Sequence, residues 1–384
     1  MKRAARKKPP VVKAALWTAE QRRASSLHEI SYRACFKPQL PAYFIERYTQ
    51  PGERVYDPFS GRGTTAVEAA LRGRRVIAND VNPLATRLAQ PRLAVPTLAA
   101  IAARLEDIPR TVTGRAPPLA MFYERKTLRE IMALRDWLLR RRSEGIADAI
   151  DDWIGMVATN RLTGHSPGFF SVYSFPPNQA VTAQRQTRIN AQRQQKPVYR
   201  DTHALILKKS QQLLRDLDLP QTRALRRAAR TARFLTGDAR HTPQIKSGSV
   251  ALTVTSPPFL DVVDYAADNW LRGWFNGLPV KALAKGISIP RTVPQWSAMI
   301  EGVLCELHRI TRPGGVVAFE VGEVKKGAIK LDEVVLPLGV AAGFVAEAVL
   351  INSQRFTKTA HLWGVANNSN GTNSNRIVVF RKPV

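Results

Sequence analysis

The sequence has few cysteines and no long uninterrupted apolar run. Its 384 residues include only two cysteines, Cys35 and Cys305, which are far apart. This excludes a disulfide framework and a cysteine metal cluster, although a single bridge stays open, and it favours a reducing compartment. The basic N-terminus is not followed by an apolar segment of signal-peptide length, and the apolar stretch 334–351 contains Pro337 and Glu347. We therefore expect a cytoplasmic protein with no metal site and no membrane partner.

Acidic residues are also scarce relative to basic ones. Lys and Arg number 58 and Asp and Glu 30, which gives a formal net charge of +28. So large a positive charge opposes folding into a compact structure, because like charges repel, unless a polyanion is bound. Nucleic acid is the commonest polyanionic partner. An anionic membrane surface and a ribosomal or nucleoid-like packing role are the alternatives. The hydrophobic content of 44% is that of an ordinary globular protein.

A strand, a glycine turn, a helix and a second strand follow one another over residues 54–80. The turn carries Gly61 and Gly63, and the second strand ends at Asp80. Glycines let backbone N–H groups approach a ligand closely, and an acid about 20 residues later can accept hydrogen bonds from a ribose. The turn lacks the Gly-Lys-Ser/Thr ending of a phosphate loop and the third glycine of the dinucleotide fingerprint. The pattern predicts an adenosyl cofactor without a pyrophosphate.

A second distinctive stretch, residues 255–259, reads Thr-Ser-Pro-Pro-Phe. It follows the short apolar run 250–254, which is typical of a buried parallel strand. Ligands bind at the carboxyl ends of strands in open α/β sheets, where Ser256 offers a hydroxyl and Phe259 a flat apolar face. These groups suit a planar, amino-bearing substrate. The alternative is a Pro-Pro turn that merely ends a strand.

The two stretches together resemble the DNA amino-methyltransferases. Residues 57–65 are similar to the S-adenosylmethionine-binding motif of that family, and residues 255–259 to its catalytic Asp/Asn/Ser-Pro-Pro-Tyr/Phe motif. Weaker similarities lie at residues 36–38 and 234–240. The resemblance implies that the catalytic residues are Ser256, Pro257, Pro258 and Phe259. It implies that the cofactor-binding residues are Lys37, Pro38, Asp57, Pro58, Phe59, Gly61, Gly63, Thr64, Asp80 and Asp238.

This resemblance also implies a fold and a domain organisation. We expect an α/β, Rossmann-like class I methyltransferase fold with a mostly parallel sheet and a largely helical insertion. Residues 31–95 and 232–384 would form the catalytic domain, and residues 1–30 a basic N-terminal arm. Residues 96–231 would form a helical, basic insertion that is a candidate DNA target-recognition region.

Within the insertion, residues 163–179 form an aromatic, proline-rich stretch and residues 184–196 are rich in Arg, Gln and Asn. Such side chains bond base edges, and aromatic rings stack on exposed bases. The candidate nucleic-acid-binding residues are Arg185, Arg188, Arg193 and Lys196. A solvated helix beside a packed aromatic loop is the alternative. A basic helix is predicted over residues 213–233, with arginines along one side for phosphate contact.

The expected reaction is methyl transfer from S-adenosylmethionine to an exocyclic amine of a flipped base in double-stranded DNA. Serine at position 256 favours cytosine N4 within the family. Adenine N6, an RNA amino group, and a non-catalytic nucleic-acid-binding role remain alternatives. Carbon-5 methylation would need a Pro-Cys pair, and neither cysteine follows a proline. A restriction endonuclease is a candidate partner, and DNA binding would place the protein at the nucleoid.

Overall fold

One eight-stranded sheet organises the chain in the computed structural model, which describes residues 9–13, 24–33, 35–175, 179–258, 265–278, 290, 292–324, 329–353 and 374–384. Its strands are β1 Val11–Lys13, β2 Arg54–Asp57, β3 Arg75–Asp80, β4 Arg233–Thr236, β5 Val250–Thr255, β6 Thr311–Val321, β9 Val345–Ser353 and β10 Ser374–Arg381. Two short strands, β7 Glu323–Val324 and β8 Ile329–Lys330, pair separately.

The strands lie in the order β1-β9-β10-β6-β5-β2-β3-β4. All neighbours are parallel except β10, which is antiparallel to both β6 and β9. The chain moves outward from β2 to β3 and β4, then returns to the other side of β2 at β5. The switch point between β2 and β5 is where open α/β sheets bind ligands. This topology confirms the predicted mostly parallel, Rossmann-like fold.

Helices flank the sheet and fill the connections. They are α1 Gln39–Tyr48, α2 Thr64–Leu71, α3 Leu84–Ala89, α4 Leu98–Asp107, α5 Arg125–Ser143, α6 Ala149–Arg161, α7 Ala183–Gln192, α8 Thr202–Leu214, α9 Leu219–Ala229, α10 Tyr265–Asp268, α11 Trp270–Phe275, α12 Val293–Ile310 and α13 Leu331–Ala341. Short 3-10 helices cover Ser26–His28 and Gln90–Arg92. No helix in the described ranges is long and apolar enough to cross a membrane.

The two faces of the sheet bury two separate cores because strand side chains alternate. In β6, Val316 and Ala318 join one core, whereas Val317 and Phe319 join the other. The first core also contains buried residues of α4, α5, α6 and α8, including Trp153. Those helices lie within the stretch 96–231, and they pack on the sheet through a shared core. The assignment of this stretch as a separate target-recognition unit stays a prediction.

Two local features differ from the sequence prediction. Val11–Lys13, in the stretch predicted as an arm, form β1 and pair with β9 at the sheet edge. The basic helix predicted over 213–233 is two helices: α8 ends at Leu214 and α9 begins at Leu219. The break occurs because Asp218 caps α9, accepting a hydrogen bond from the Gln221 N–H while the Gln221 side chain accepts one from Asp218 N–H.

Candidate active site

The two sequence motifs meet at the edge where β2 to β5 end, which we call the carboxyl edge. Asp57 ends β2 and Ser256 directly follows β5, the neighbouring parallel strand. The Thr255 hydroxyl donates to Asp57 Oδ1 at 2.7 Å, and the Thr65 hydroxyl donates to the Val254 carbonyl at 3.1 Å. These buried bonds fasten the Ser-Pro-Pro turn to the glycine turn. The predicted proximity of the two motifs is therefore present in the structure.

Backbone hydrogen bonds hold the glycine turn in a tight conformation that has no room for a side chain at Gly63. Gly63 N–H donates to the Ser60 carbonyl, and Ser60 N–H to that of Asn79, at 2.6 and 2.9 Å. Gly63 has a φ of +77°, and a Cβ there would lie 2.4 Å from the Cβ of Ala89. Both the left-handed backbone and this close approach require glycine. Thr64 then begins α2, and its hydroxyl accepts a hydrogen bond from Arg62 Nε at 3.2 Å.

Asp80 faces the glycine turn from the end of β3. Its Oδ2 accepts a hydrogen bond from Gly61 N–H at 2.8 Å, and its Oδ1 accepts one from Asn82 N–H at 2.9 Å. Burial raises the pKa of Asp80 to about 6, against the lowering effect of these two N–H groups. Each carboxylate oxygen can accept a further hydrogen bond. Asp80 therefore has acceptor capacity for two hydroxyl groups of a ligand.

Asp57 is buried more deeply than Asp80, with 1% of its surface exposed. Burial raises its pKa to about 7, although hydrogen bonds from the Thr255 hydroxyl and Phe59 N–H partly offset this. A carboxyl group this enclosed serves mainly to connect strand ends. The geometry thus gives Asp57 a positioning role beside the ligand site, while the neighbouring Pro58 carbonyl accepts a bond from Asn79 Nδ2 at 3.2 Å.

Asp238 lies beyond the end of β4, beside Asp80 in sheet order. Asn79 Nδ2 also donates to the Gly237 carbonyl at 2.9 Å, so one side chain joins the ends of β2, β3 and β4. Asp238 is exposed and pairs with Arg240 at 2.5 Å, and that hydrogen bond lowers its pKa. Arg240 donates from its backbone N–H and its guanidinium to both Asp238 oxygens. An exocyclic amine at the rim of the site would therefore have to share the Asp238 carboxylate with Arg240.

The Ser-Pro-Pro turn offers two acceptors to the same edge. Within the described part of the chain, neither the Ser256 hydroxyl nor the Pro257 carbonyl has a hydrogen-bond partner. The Pro258 carbonyl, in contrast, accepts a hydrogen bond from Trp296 Nε1 at 2.9 Å. Phe259, the predicted stacking residue, lies outside the described residues.

Trp296 contacts the Ser-Pro-Pro turn, and the sequence analysis did not predict this contact. It is fully buried in the first turns of α12 and fixes the second proline carbonyl of the turn. A tryptophan on the apolar side of a helix looks like an ordinary core residue in sequence. Only the strand order, which brings α12 beneath the turn after β5, indicates its contact.

Lys37 and Pro38 lie at the start of α1. Pro38 is buried at the N-cap, and the Lys37 carbonyl accepts a bond from Leu40 N–H at 3.1 Å. The far end of α1 contacts the beginning of β3, where Arg74 donates to the Thr49 carbonyl at 2.7 Å. Because α1 runs from there back across the sheet, its first residues point to the carboxyl edge. Their predicted contact with the cofactor stays a prediction.

The predicted nucleic-acid residues lie on and just after α7, and all four are exposed. Arg185 stacks over the Phe175 ring at 4.4 Å, and Arg193 over the Tyr173 ring at 3.8 Å. Arg185 and Arg188, but not Arg193, line an open groove; its lining residues are Phe175, Thr182, Gln184, Arg185, Arg188, Ile189 and Gln192. Residues 176–178 of the aromatic stretch lie outside the described residues.

The segment preceding α7 is attached to the helices that follow the catalytic motif. Ala180 N–H donates to the Asp268 carbonyl at 2.8 Å, and Trp270 Nε1 donates to the Val181 carbonyl at 3.2 Å. Arg33 also pairs with the Asp268 carboxylate at 2.6 Å. The segment that leads into α7 and its groove is therefore attached to α10 and α11.

These groups fit S-adenosylmethionine. Asp80, which has two unused acceptor positions beside a close glycine turn, can accept hydrogen bonds from two hydroxyl groups of such a molecule. The glycine turn itself, residues 57–65, contains no lysine of the kind that a phosphate loop carries.

Residues 2–91 match the model of a family described as DNA methylase. The match supports a DNA amino-methyltransferase family. It includes the glycine turn and Asp80 and ends well before Ser256. The similarity to this family model is thus limited to the N-terminal part of the chain.

Individual relatives match only short segments. A type II methyltransferase, M.MjaII of Methanocaldococcus jannaschii, is 36% identical over 76 residues, which are 20% of this chain and 14% of that protein. A malonyl-[acyl-carrier protein] O-methyltransferase of Pectobacterium atrosepticum is 42% identical over 55 residues, 14% of this chain and 22% of that protein. The matches thus span less than a quarter of either curated relative.

Among solved structures, TrmN from Thermus thermophilus covers 93% of this chain and 51% of its own, with 15% identity and a TM-score of 0.35.

Proposed function

We propose that this protein transfers a methyl group from S-adenosylmethionine to an exocyclic amine of a base in double-stranded DNA. The observation that carries the proposal is the 2.7 Å bond from Thr255 to Asp57. It holds the free acceptors of the Ser-Pro-Pro turn beside the glycine turn, at the switch point of the sheet. A cofactor and a substrate bound to these two turns are neighbours.

Bound there, the cofactor supplies an electrophilic methyl group. The protein holds the amine in line with it. The Ser256 hydroxyl and the Pro257 carbonyl each accept a hydrogen bond from the amine, which becomes positively charged as it reacts. Trp296 occupies the Pro258 carbonyl, so the amine meets only the first two acceptors. Ser256 is a weak base, so the surplus proton leaves to solvent after transfer.

Cytosine N4 is the favoured acceptor, on the resemblance of Thr255-Ser256-Pro257-Pro258 to the serine form of the catalytic motif. In this chain the cofactor motif precedes the catalytic motif, whereas many cytosine-N4 enzymes have the reverse order, which weakens the preference for cytosine N4. Adenine N6 is the second candidate. Both amines offer two N–H groups to the same pair of acceptors, so the chemistry at Ser256 is common to them.

The target base must be flipped out of the DNA duplex, because an amine stacked inside the duplex cannot reach the Ser-Pro-Pro turn. The groove beside α7 suits the DNA around that base. Arg185 and Arg193 each lie over an aromatic ring, which holds their guanidinium groups in fixed positions while their N–H groups face outward. Replacing Arg185 and Arg188 with Gln should weaken DNA binding and leave cofactor binding unchanged, as read by fluorescence anisotropy and calorimetry.

The test is to incubate the protein with methyl-labelled cofactor and, in separate reactions, duplex DNA or RNA, then digest each nucleic acid to nucleosides and separate them. We expect the label in N4-methylcytosine. Label in N6-methyladenine would replace the base assignment, and label in RNA alone would replace the substrate. Cofactor binding without transfer to any nucleic acid would favour a non-catalytic role on this scaffold.

A further inference from the structure

The opposite edge of the sheet, where β2 to β5 begin, carries a cluster of cations. Arg54, Arg75 and Arg233 are the first residues of β2, β3 and β4, and Lys246 lies in the loop before β5. All four are exposed and line one groove of about 150 Å³ together with Thr231 and Ser249. We call these four residues and Arg223, Arg226, Arg227 and Arg230 of α9 and its C-cap the basic edge.

The four groove cations have no carboxylate partner in the part of the chain that the structure describes. Arg54 and Arg233 donate only to the backbone carbonyls of Ser249 and Gln244, at 3.5 and 2.8 Å. The acid next to them in sequence, Glu53, pairs with Arg312 at 2.6 Å instead. Elsewhere arginines do pair, as Arg104 does with Asp151. The groove therefore holds uncompensated positive charge.

The row on α9 extends this charge. Arg223, Arg226, Arg227 and Arg230 recur at three- and four-residue steps, are exposed, and have no ion pair with a described residue, whereas Leu225 and Ala228 on the other side of the helix are buried. The row spans about 10 Å of helix at 1.5 Å per residue. It ends beside Thr231, which lines the groove. The groove and the row thus form one continuous surface.

We infer that the basic edge binds the phosphate backbone of a second nucleic-acid segment, separate from the segment whose base is methylated. The inference rests on the proposed function for the first segment only. A guanidinium group can donate two parallel hydrogen bonds to the oxygens of one phosphate. A bound polyanion also relieves the repulsion among cations that have no acidic partner. Because β3 is six residues long, about 20 Å separates this edge from the carboxyl edge, and the two face opposite ways.

A membrane surface is the competing polyanion. Anchoring at a bilayer interface uses exposed aromatic or large apolar side chains beside the cations. The groove lining contains no aromatic residue, and its apolar members Val76, Ile77 and Ile245 are buried. Nucleic acid needs no such anchors, so it is the occupant that these side chains favour.

The test is the number of 20-base-pair duplexes bound per protein at low salt, measured by sedimentation velocity with a labelled duplex. We expect two for the full-length protein and one for the variant R75Q/R233Q/K246Q. The matched control R115Q/R125Q/R129Q removes three other exposed arginines and should still bind two. A single duplex on the unaltered protein, or two on the groove variant, would overturn the inference.

Two further readings keep the result interpretable. If the groove variant melts well below the unaltered protein, the variant R226Q/R227Q/R230Q tests the same surface from the exposed side of α9, and its second duplex should bind at least tenfold more weakly. Binding to phosphatidylserine vesicles without a second duplex would assign the edge to a membrane and contradict the inference. If the unaltered protein transfers no methyl group, the proposed function is refuted. The number of duplexes bound per protein is measured independently of that activity.

Discussion

The two edges of the sheet carry opposite charges on the same strands. Both β2 and β3 begin with an arginine and end with an aspartate; the pairs are Arg54 with Asp57 and Arg75 with Asp80. Strand β4 begins with Arg233, and Asp238 lies two residues beyond its last residue, Thr236. The arginines are exposed, whereas Asp57 is buried and Asp80 partly so. Enclosed acids between glycine and proline turns suit a small polar ligand and its chemistry. Open cations suit a large anion.

The change with the largest expected effect is Ser256→Ala at the carboxyl edge. It removes one of the two acceptors for the amine, so kcat should fall on the order of 100-fold, as for loss of one donor that acts in a transition state. The Kd for the cofactor should change less than twofold. Steady-state kinetics and calorimetry measure the two quantities, and equal losses in both would contradict the role of Ser256.

The next largest effect is expected from Asp80→Ala on cofactor affinity. One hydrogen bond to an ionised group contributes about 1.5–3 kcal/mol, so loss of the Asp80 carboxylate should raise the cofactor Kd by at least about 10- to 100-fold. Arg75→Gln, at the other end of the same strand, is the matched control and should leave the Kd unchanged. If both changes weakened cofactor binding equally, the assignment of the cofactor to the carboxyl edge would be wrong.

The stability of the folded protein should depend on pH through the buried carboxyl group of Asp57. The pKa of Asp57, raised to about 7 by burial, lies above its ordinary value, so its protonated form is favoured in the folded state. The stability it contributes is full below pH 4 and is lost as the pH rises through 7. Asp57→Asn does not titrate and should gain Tm relative to the unaltered protein across this range, by about 1–2 °C per kcal/mol for a chain of 384 residues.

Thermal melts of both proteins without cofactor, at half-unit steps from pH 4 to pH 8, measure this difference. A Tm difference that stays constant with pH would show that Asp57 is not held in the protonated form.

The smallest effect is expected from Trp296→Phe. The ring volume is largely kept, but the hydrogen bond to the Pro258 carbonyl is lost, which contributes about 0.5–1.5 kcal/mol. We expect kcat to fall about 2- to 10-fold at unchanged cofactor Kd, because the turn becomes less well positioned. A KM change for DNA with unaltered kcat would instead indicate a contact with the substrate.

Much of the site could be predicted because its residues lie at strand ends. Short apolar runs ending in Asp57, Asp80 and Thr255 predict buried parallel strands, and the glycine and proline turns that follow have few structural alternatives. Parallel strands place such turns at one edge, so their proximity follows from the fold.

The rest depends on contacts between segments distant in sequence. Trp296 lies 38 residues beyond Pro258 and has no pattern that distinguishes it from a core residue. The arginines of α9 could be predicted from their spacing, but the groove cations could not, since Arg54, Arg75 and Arg233 are single residues that only the strand order β2-β3-β4 brings together. The pairing of Val11–Lys13 with β9 likewise needs a free sheet edge that no local signal shows.

The most direct test of the central claim is a single-turnover methyl-transfer experiment on one duplex, with Ser256→Ala and R75Q/R233Q/K246Q compared at saturating cofactor and DNA. We predict that the first variant loses about 100-fold in rate while still binding cofactor and duplex. The second should transfer methyl groups at the rate of the unaltered protein. An unchanged rate in the first, or a comparable loss in the second, would contradict the placement of the chemistry at the carboxyl edge.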